Sequence, residues 1–124
     1  MVRFLSPEWI EALDVAAREA VVPAEVRLTI QQVVTGDGEE VSYHLVLEEG
    51  RLRVHPGDAE RADVTLVQSR DVAAALSRGE LNAQQALEAG RLKLRGNIGH
   101  LARQGKALTA MDDAFAIVRA ETTY

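Results

Sequence analysis

Apolar residues first recur at helical spacing. Trp9, Leu13, Ala16, Ala17 and Ala20 fall three or four positions apart and would share one side of a helix, which the pattern predicts to end before Pro23. Its start is written in Ser6-Pro7-Glu8: the serine hydroxyl caps free backbone donors, proline suits the first helical position and glutamate complements the dipole. From Val26 the period drops to two. Val26, Leu28 and Ile30 alternate with Arg27, Thr29 and Gln31, as in a strand with one buried face. Thr35-Gly36-Asp37-Gly38 carries turn chemistry, and Val41, Tyr43, Leu45 and Leu47 return as a second strand alternating with Ser42, His44 and Val46. Another turn at Glu49-Gly50 leads to Leu52 and Val54, alternating with Arg51, Arg53 and His55, so three strands form an antiparallel meander.

After the break at Pro56-Gly57-Asp58, residues 63–67 predict a fourth short strand, and the rest is mostly helical. Ser69 caps a short helix bearing Val72, Ala75 and Leu76, closed by Gly79. Asn82, with Gln85 three residues on, resembles a capping box for a second short helix that ends at Gly90. Residues 91–96 alternate again, Leu92 and Leu94 against Arg91, Lys93 and Arg95, as a fifth strand. A last helix follows Asn97, its stripe running through Ile98, Leu101, Leu108, Met111, Phe115 and Val118, with Gly105 filling the gap. No repeat, low-complexity tract or linker interrupts this order, and an α+β fold follows.

Composition narrows the function. With 124 residues, 47% of them apolar and 27% charged, the chain is expected to form one domain over residues 1–124 around one core. Lys and Arg total 14 against 19 Asp and Glu, and the formal charge of -5 repels phosphate backbones, so nucleic acid is not an expected partner. The basic residues Arg91, Lys93 and Arg95 lie at alternate positions with no aromatic between them and read as the solvated side of a strand. Cysteine is absent, and no stretch approaches the roughly 20 apolar residues of a membrane span or the apolar run of a signal peptide. A soluble, cytoplasmic protein is expected. Glu121-Thr122-Thr123-Tyr124 does not resemble a peroxisomal ending.

Reactive constellations are sparse. His44 and His55 fall on the polar phase of their strands and His100 near a helix start, with no His-x-x-x-His and no carboxylate cluster, so no metal site is expected. Gly36-Asp37-Gly38-Glu39-Glu40 has too few oxygen ligands for a calcium loop, and Gly96-Asn97-Ile98-Gly99 lacks the third spaced glycine of a dinucleotide fingerprint. Ser6 and Ser69 are helix caps, Ser42 and Ser77 sit in no Gly-x-Ser-x-Gly elbow, and the adjacent Asp112 and Asp113 diverge by about 100° on a helix. No catalytic residue and no cofactor are expected.

One stretch carries a family signature. Asp63-Val64-Thr65-Leu66, a short helix, Gly79-Glu80-Leu81-Asn82-Ala83-Gln84-Gln85-Ala86, and then Gly90-Arg91-Leu92-Lys93-Leu94-Arg95-Gly96-Asn97-Ile98-Gly99 resemble, in order and spacing, the sterol carrier protein-2 family. The resemblance covers about residues 60–100, while the first half agrees in its strand pattern. It implies a five-stranded, mostly antiparallel sheet with helices covering one face and an apolar tunnel between them. It also implies non-catalytic binding and transfer of an apolar lipid: a sterol, a fatty acid or a fatty acyl-CoA.

On that basis the expected cavity is lined by the inner sheet face and by Leu76, Leu81, Leu87, Leu101, Leu108, Met111 and Phe115. Met111 would let it adapt to several ligand shapes. The alternative is an interaction or dimerisation module accessory to a lipid- or small-molecule-metabolising enzyme, with the cavity closed by side chains and a second copy of the chain as candidate partner.

Overall fold

The computed structural model describes residues 1–36, 38–81 and 83–124, with backbone alone at 83 and 84. A two-residue strand, β1 (Val2–Arg3), precedes helix α1 (Pro7–Ala17), which begins where the Ser6 hydroxyl accepts the Trp9 N–H at 3.2 Å. Strands β2 (Leu28–Thr35), β3 (Glu40–Glu48) and β4 (Arg51–Pro56) form the antiparallel meander. The β3–β4 turn is two residues long, and both Glu49 (φ 52°) and Gly50 (φ 77°) take the left-handed backbone that such hairpins require.

The chain then crosses to the far side of β2. There β5 (Val64–Ser69) lies parallel to β2, and β6 (Leu92–Gly96) closes the sheet antiparallel to β5, giving the order β4-β3-β2-β5-β6. Two short helices, α2 (Arg70–Arg78) and α3 (Ala83–Glu88), join these last two strands. Ser69 caps α2 by accepting the Val72 N–H, and Gly79 (φ 77°) ends it. The capping box expected of Asn82 and Gln85 lies outside the described residues. After β6 come α4 (Ile98–Ala102), α5 (Gly105–Ala120) and the two-residue β7 (Thr122–Thr123), which pairs parallel with β1 and ties the two chain ends together.

Alternation sorts the sheet into two faces. Leu28, Ile30 and Val34 of β2, Leu45 and Leu47 of β3, Leu52 and Val54 of β4, and Val64 of β5 are buried on one face, in one cluster with Trp9, Ile10 and Leu13 of α1 and with Ala107 and Val118 of α5. Covering helices therefore lie on one side of the sheet. On the other side Gln31, expected at the surface, is buried. Its amide donates to the Tyr43 carbonyl at 3.2 Å and to Asp58 Oδ1 at 3.3 Å, and its oxygen accepts the Ala59 N–H at 2.8 Å. The loop after β4 thus folds over this residue, which one strand's periodicity could not show.

The terminal helix is the main departure from the sequence pattern. A single stripe from Ile98 to Val118 is interrupted at residues 103–104, and the chain makes two helices. Asn97 caps α4 by accepting the His100 N–H at 3.0 Å, whereas Gln104 makes no side-chain cap to α5. Gly105 is the first residue of α5, and the break at Arg103 and Gln104 just before it lets α4 and α5 present different sides to the core. Ile98 is then half exposed, while Leu101 and Leu108 pack against the main cluster.

Candidate functional site

Helix α1 packs on β4, α2 on β5 and α3 on β6, while α5 packs on α1. Packing accordingly divides into two clusters: the main one described above and a smaller one of Val72, Ala86 and Leu92 with Leu76 and Leu81 against it. Between them lies a cavity of about 380 Å³. The sheet contributes Gln32, Tyr43, Leu45, Leu66, Gln68 and Leu92; Phe4 and α1 contribute a further wall with Trp9 and Leu13. From α2 and the following loop come Ala73, Leu76, Ser77 and Leu81, and from α5 Met111, Asp112, Phe115, Val118 and Arg119.

The aromatic residues brace one another. Trp9 meets Phe4 edge to face at 5.0 Å between ring centroids and Tyr43 at 5.6 Å. The last residue, Tyr124, packs against Phe4 with ring centroids 4.9 Å apart and planes tilted by 43°, hydrogen-bonds the Ser77 hydroxyl and lies under the Arg78 guanidinium. Both chain ends therefore support the same wall. Burial pushes the Tyr43 phenol well above its ordinary pKa and so reinforces the neutral form it already has at pH 7.

Besides Tyr43 and Ser77, the polar side chains of the cavity gather at two points. On the sheet, Gln68 Nε2 donates to Gln32 Oε1 at 2.9 Å, while Gln68 Oε1 is buried with no hydrogen-bond partner. On α5, Arg119 Nη2 donates to Asp112 Oδ1 at 3.0 Å, and Arg119 Nε is likewise buried without a partner. The Arg119 and Asp112 side chains are 33% and 71% exposed, so this pair marks the place where the cavity reaches the surface.

Of the seven residues expected at the cavity from sequence, the fold brings Leu76, Leu81, Met111 and Phe115 to its wall. Leu87 does not line it and is 38% exposed on α3. Leu101, in the separate helix α4, and Leu108, in the first turn of α5, pack on the main cluster and do not line it either. Gln32 and Gln68 line the cavity without being expected there. Their signal lies in the sequence: each is a polar residue in the apolar phase of its strand, Gln32 between Ile30 and Val34 and Gln68 after Val64 and Leu66.

The histidines sit away from this cavity. His44 and His55 are direct cross-strand partners with rings 5.4 Å apart, a proximity their separation in sequence conceals, and His44 Nδ1 lies 2.9 Å from the Gly57 carbonyl oxygen. His100 Nε2 contacts the Arg27 carbonyl at 2.7 Å. Among the described residues no three potential metal ligands gather, and no helix is long and apolar enough to cross a membrane.

A sheet with helices on one face and a largely apolar cavity between them defines a small-molecule-binding domain. This chain belongs to the SCP-2 sterol transfer family, whose description matches residues 10–109. Its fold is that of solved sterol carrier proteins. A conserved hypothetical protein of Thermus thermophilus, described as possibly a sterol carrier protein, is 19% identical and superposes with a TM-score of 0.72 over 98% of this chain and 91% of its own. A crystal structure of sterol carrier protein 2 gives a TM-score of 0.72 at 20% identity, over 94% of this chain and 97% of that one. The palmitated sterol carrier protein 2-like protein of Aedes aegypti gives 0.66 at 21% identity, over 85% and 94%. No curated protein matches the sequence.

Proposed function

We propose that this chain binds apolar lipids, a sterol, a fatty acid or a fatty acyl-CoA, reversibly in the cavity between its two packing clusters and transfers them without covalent chemistry. The observation that carries this reading is the cavity itself: about 380 Å³ of mostly apolar-walled space that reaches the surface beside Asp112 and Arg119. At roughly 30 Å³ per water-sized group, that volume holds about a dozen methylenes, so it encloses a medium-length chain whole and a sterol or longer chain only in part. Burying ten of them at about 0.8 kcal/mol each yields about 8 kcal/mol, which corresponds to roughly micromolar binding before ordering costs. Such affinity suits a carrier that must also release its cargo. Family membership and the existence of a palmitated relative support the same ligand class.

Leu76, Leu81, Met111 and Phe115 are the ligand contacts within this reading, with Leu66 and Leu92 beneath them on the sheet. Met111, unbranched and polarisable, allows ligands of different outline. The only tryptophan, Trp9, lines the cavity and reports on its contents. Titration with 11-bromoundecanoate is expected to quench Trp9 fluorescence saturably in the micromolar range, because bromine quenches an indole it touches. Ala73→Phe, which fills the space from α2, is expected to weaken this at least tenfold while leaving the circular dichroism spectrum unchanged. Absence of saturable quenching in the wild-type protein would exclude a ligand-accessible cavity.

A further inference from the structure

From the cross-strand pair His44 and His55 we infer a zinc site on the face of the sheet opposite the cavity: one Zn²⁺ held by both imidazoles and bridging β3 to β4. His44 follows the cavity residue Tyr43, and His55 follows the core residue Val54, so alternation turns both rings to the side that the helices leave open. Neither side chain is buried. The two residues are direct partners in the antiparallel ladder, with ring centres 5.4 Å apart and planes inclined by 40°. Imidazole nitrogens bind zinc tetrahedrally at about 2.0–2.1 Å, which puts the centres of two rings sharing one ion about 5 Å apart. A square-planar ion, with its ligands at a right angle, would draw the rings to about 4.5 Å, so the spacing suits zinc better than copper.

Hydrogen bonding sets the tautomer for this role. His44 Nδ1 lies 2.9 Å from the Gly57 carbonyl oxygen, which only accepts, so Nδ1 carries the proton and Nε2 keeps its lone pair. Turning the ring over would place a carbon against that oxygen and lose the bond. A histidine that donates one N–H to a backbone carbonyl while its other nitrogen holds the metal is the usual arrangement at zinc. Among the described residues the His55 ring makes no hydrogen bond, so it can present either nitrogen. Arg53, two residues along the same side of β4, has its guanidinium drawn to Asp14 at 3.1 and 3.3 Å. Asp58, bound to the Gln31 beside His44 in the ladder, and the formal charge of -5 both favour a cation. Two protein ligands leave the other coordination positions to water, so the ion is held exchangeably.

The test titrates tag-free protein with zinc chloride at about pH 7.5 and follows the ring protons of the three histidines by NMR. His44 and His55 are expected to shift together and to saturate at one ion per chain, while His100, whose Nε2 faces the Arg27 carbonyl, stays in place. His55→Gln and His44→Gln each remove one of the two ligands and are expected to weaken zinc binding at least tenfold, with 11-bromoundecanoate binding unchanged. Because the ion joins two strands of the folded chain, it is also expected to raise the melting temperature of the wild type and of neither variant. A shift of one histidine alone, saturation at one ion per two chains, or wild-type zinc affinity in His55→Gln overturns the inference. Each of these outcomes leaves the cavity reading untouched, which the bromoundecanoate titration decides by itself.

Discussion

Gly96 ends β6 with φ at +102°, and a Cβ added there would lie 2.3 Å from the Asp63 carbonyl oxygen. Backbone holds both sides of this contact. Asp63 accepts the Asn97 N–H on its carbonyl at 2.8 Å and the Thr29 N–H on its side chain at 2.7 Å, so it joins the starts of β2, β5 and α4. The aspartate and glycine of the family signature thus meet at one point in space. Gly96→Ala combines a disfavoured backbone conformation with a clash that neither partner can relieve, and we expect it to cost about 3 kcal/mol in urea unfolding. Gly105 is the opposite case. It opens α5 without a positive φ, and a Cβ added there would meet no heavy atom within 4 Å, so Gly105→Ala should raise stability by about 0.5 to 1 kcal/mol in the same assay.

Among the elements, the contact between α1 and the edge strand β4 is held by one carboxylate. Asp14 Oδ1 accepts the Val54 N–H at 2.8 Å and Arg53 Nε at 3.1 Å, while Oδ2 accepts Arg53 Nη2 at 3.3 Å and Arg18 Nη2 at 3.4 Å. An edge strand presents unpaired N–H groups that template association with other chains, and this aspartate covers one of them. Burial works against the Asp14 charge, but the hydrogen bonds from Arg53 and Val54, the Arg53 charge and the bond from Arg18 outweigh it and hold the carboxyl below its ordinary range. A carboxyl lowered on folding adds stability above its unfolded pKa and loses it as pH falls through the folded value. Asp14→Ala should therefore cost about 2 kcal/mol at pH 7, the scale of a hydrogen bond to a charged group. The deficit relative to wild type should shrink steadily below about pH 4. A deficit in urea midpoints that is independent of pH would remove the carboxylate from this account.

For the molecule as a whole, a ligand that binds only the folded chain shifts unfolding by mass action. At a hundredfold excess over Kd, 11-bromoundecanoate should add about 2.7 kcal/mol, which for a domain of this size raises the melting temperature by about 10 °C. Ala73→Phe should abolish most of that rise. A melting temperature insensitive to the ligand, measured by scanning calorimetry, would mean that the cavity does not take it up. The two-cluster packing makes this test direct, since filling the gap joins hydrophobic groups that the protein alone leaves apart.

Local chemistry was enough to specify much of this protein. Alternation in β2 to β6, the Ser6 and Ser69 caps, the Gly79 stop and the two-residue turn at Glu49-Gly50 depend on neighbours one to four residues away, and such interactions are legible in a single sequence. The segment around Asp63, Gly79 and Gly96 pointed to the family for the same reason, because each glycine or acid meets a backbone requirement. What the tertiary structure alone decided depends on contacts between distant segments. It paired His44 with His55, buried Gln31 under the loop after β4, divided the terminal stripe at Arg103 and Gln104, and turned Gln32 and Gln68 toward one cavity while leaving Leu87, Leu101 and Leu108 off its wall. Periodicity tells which side of an element is apolar; only packing in three dimensions settles whether that side meets solid core or open space.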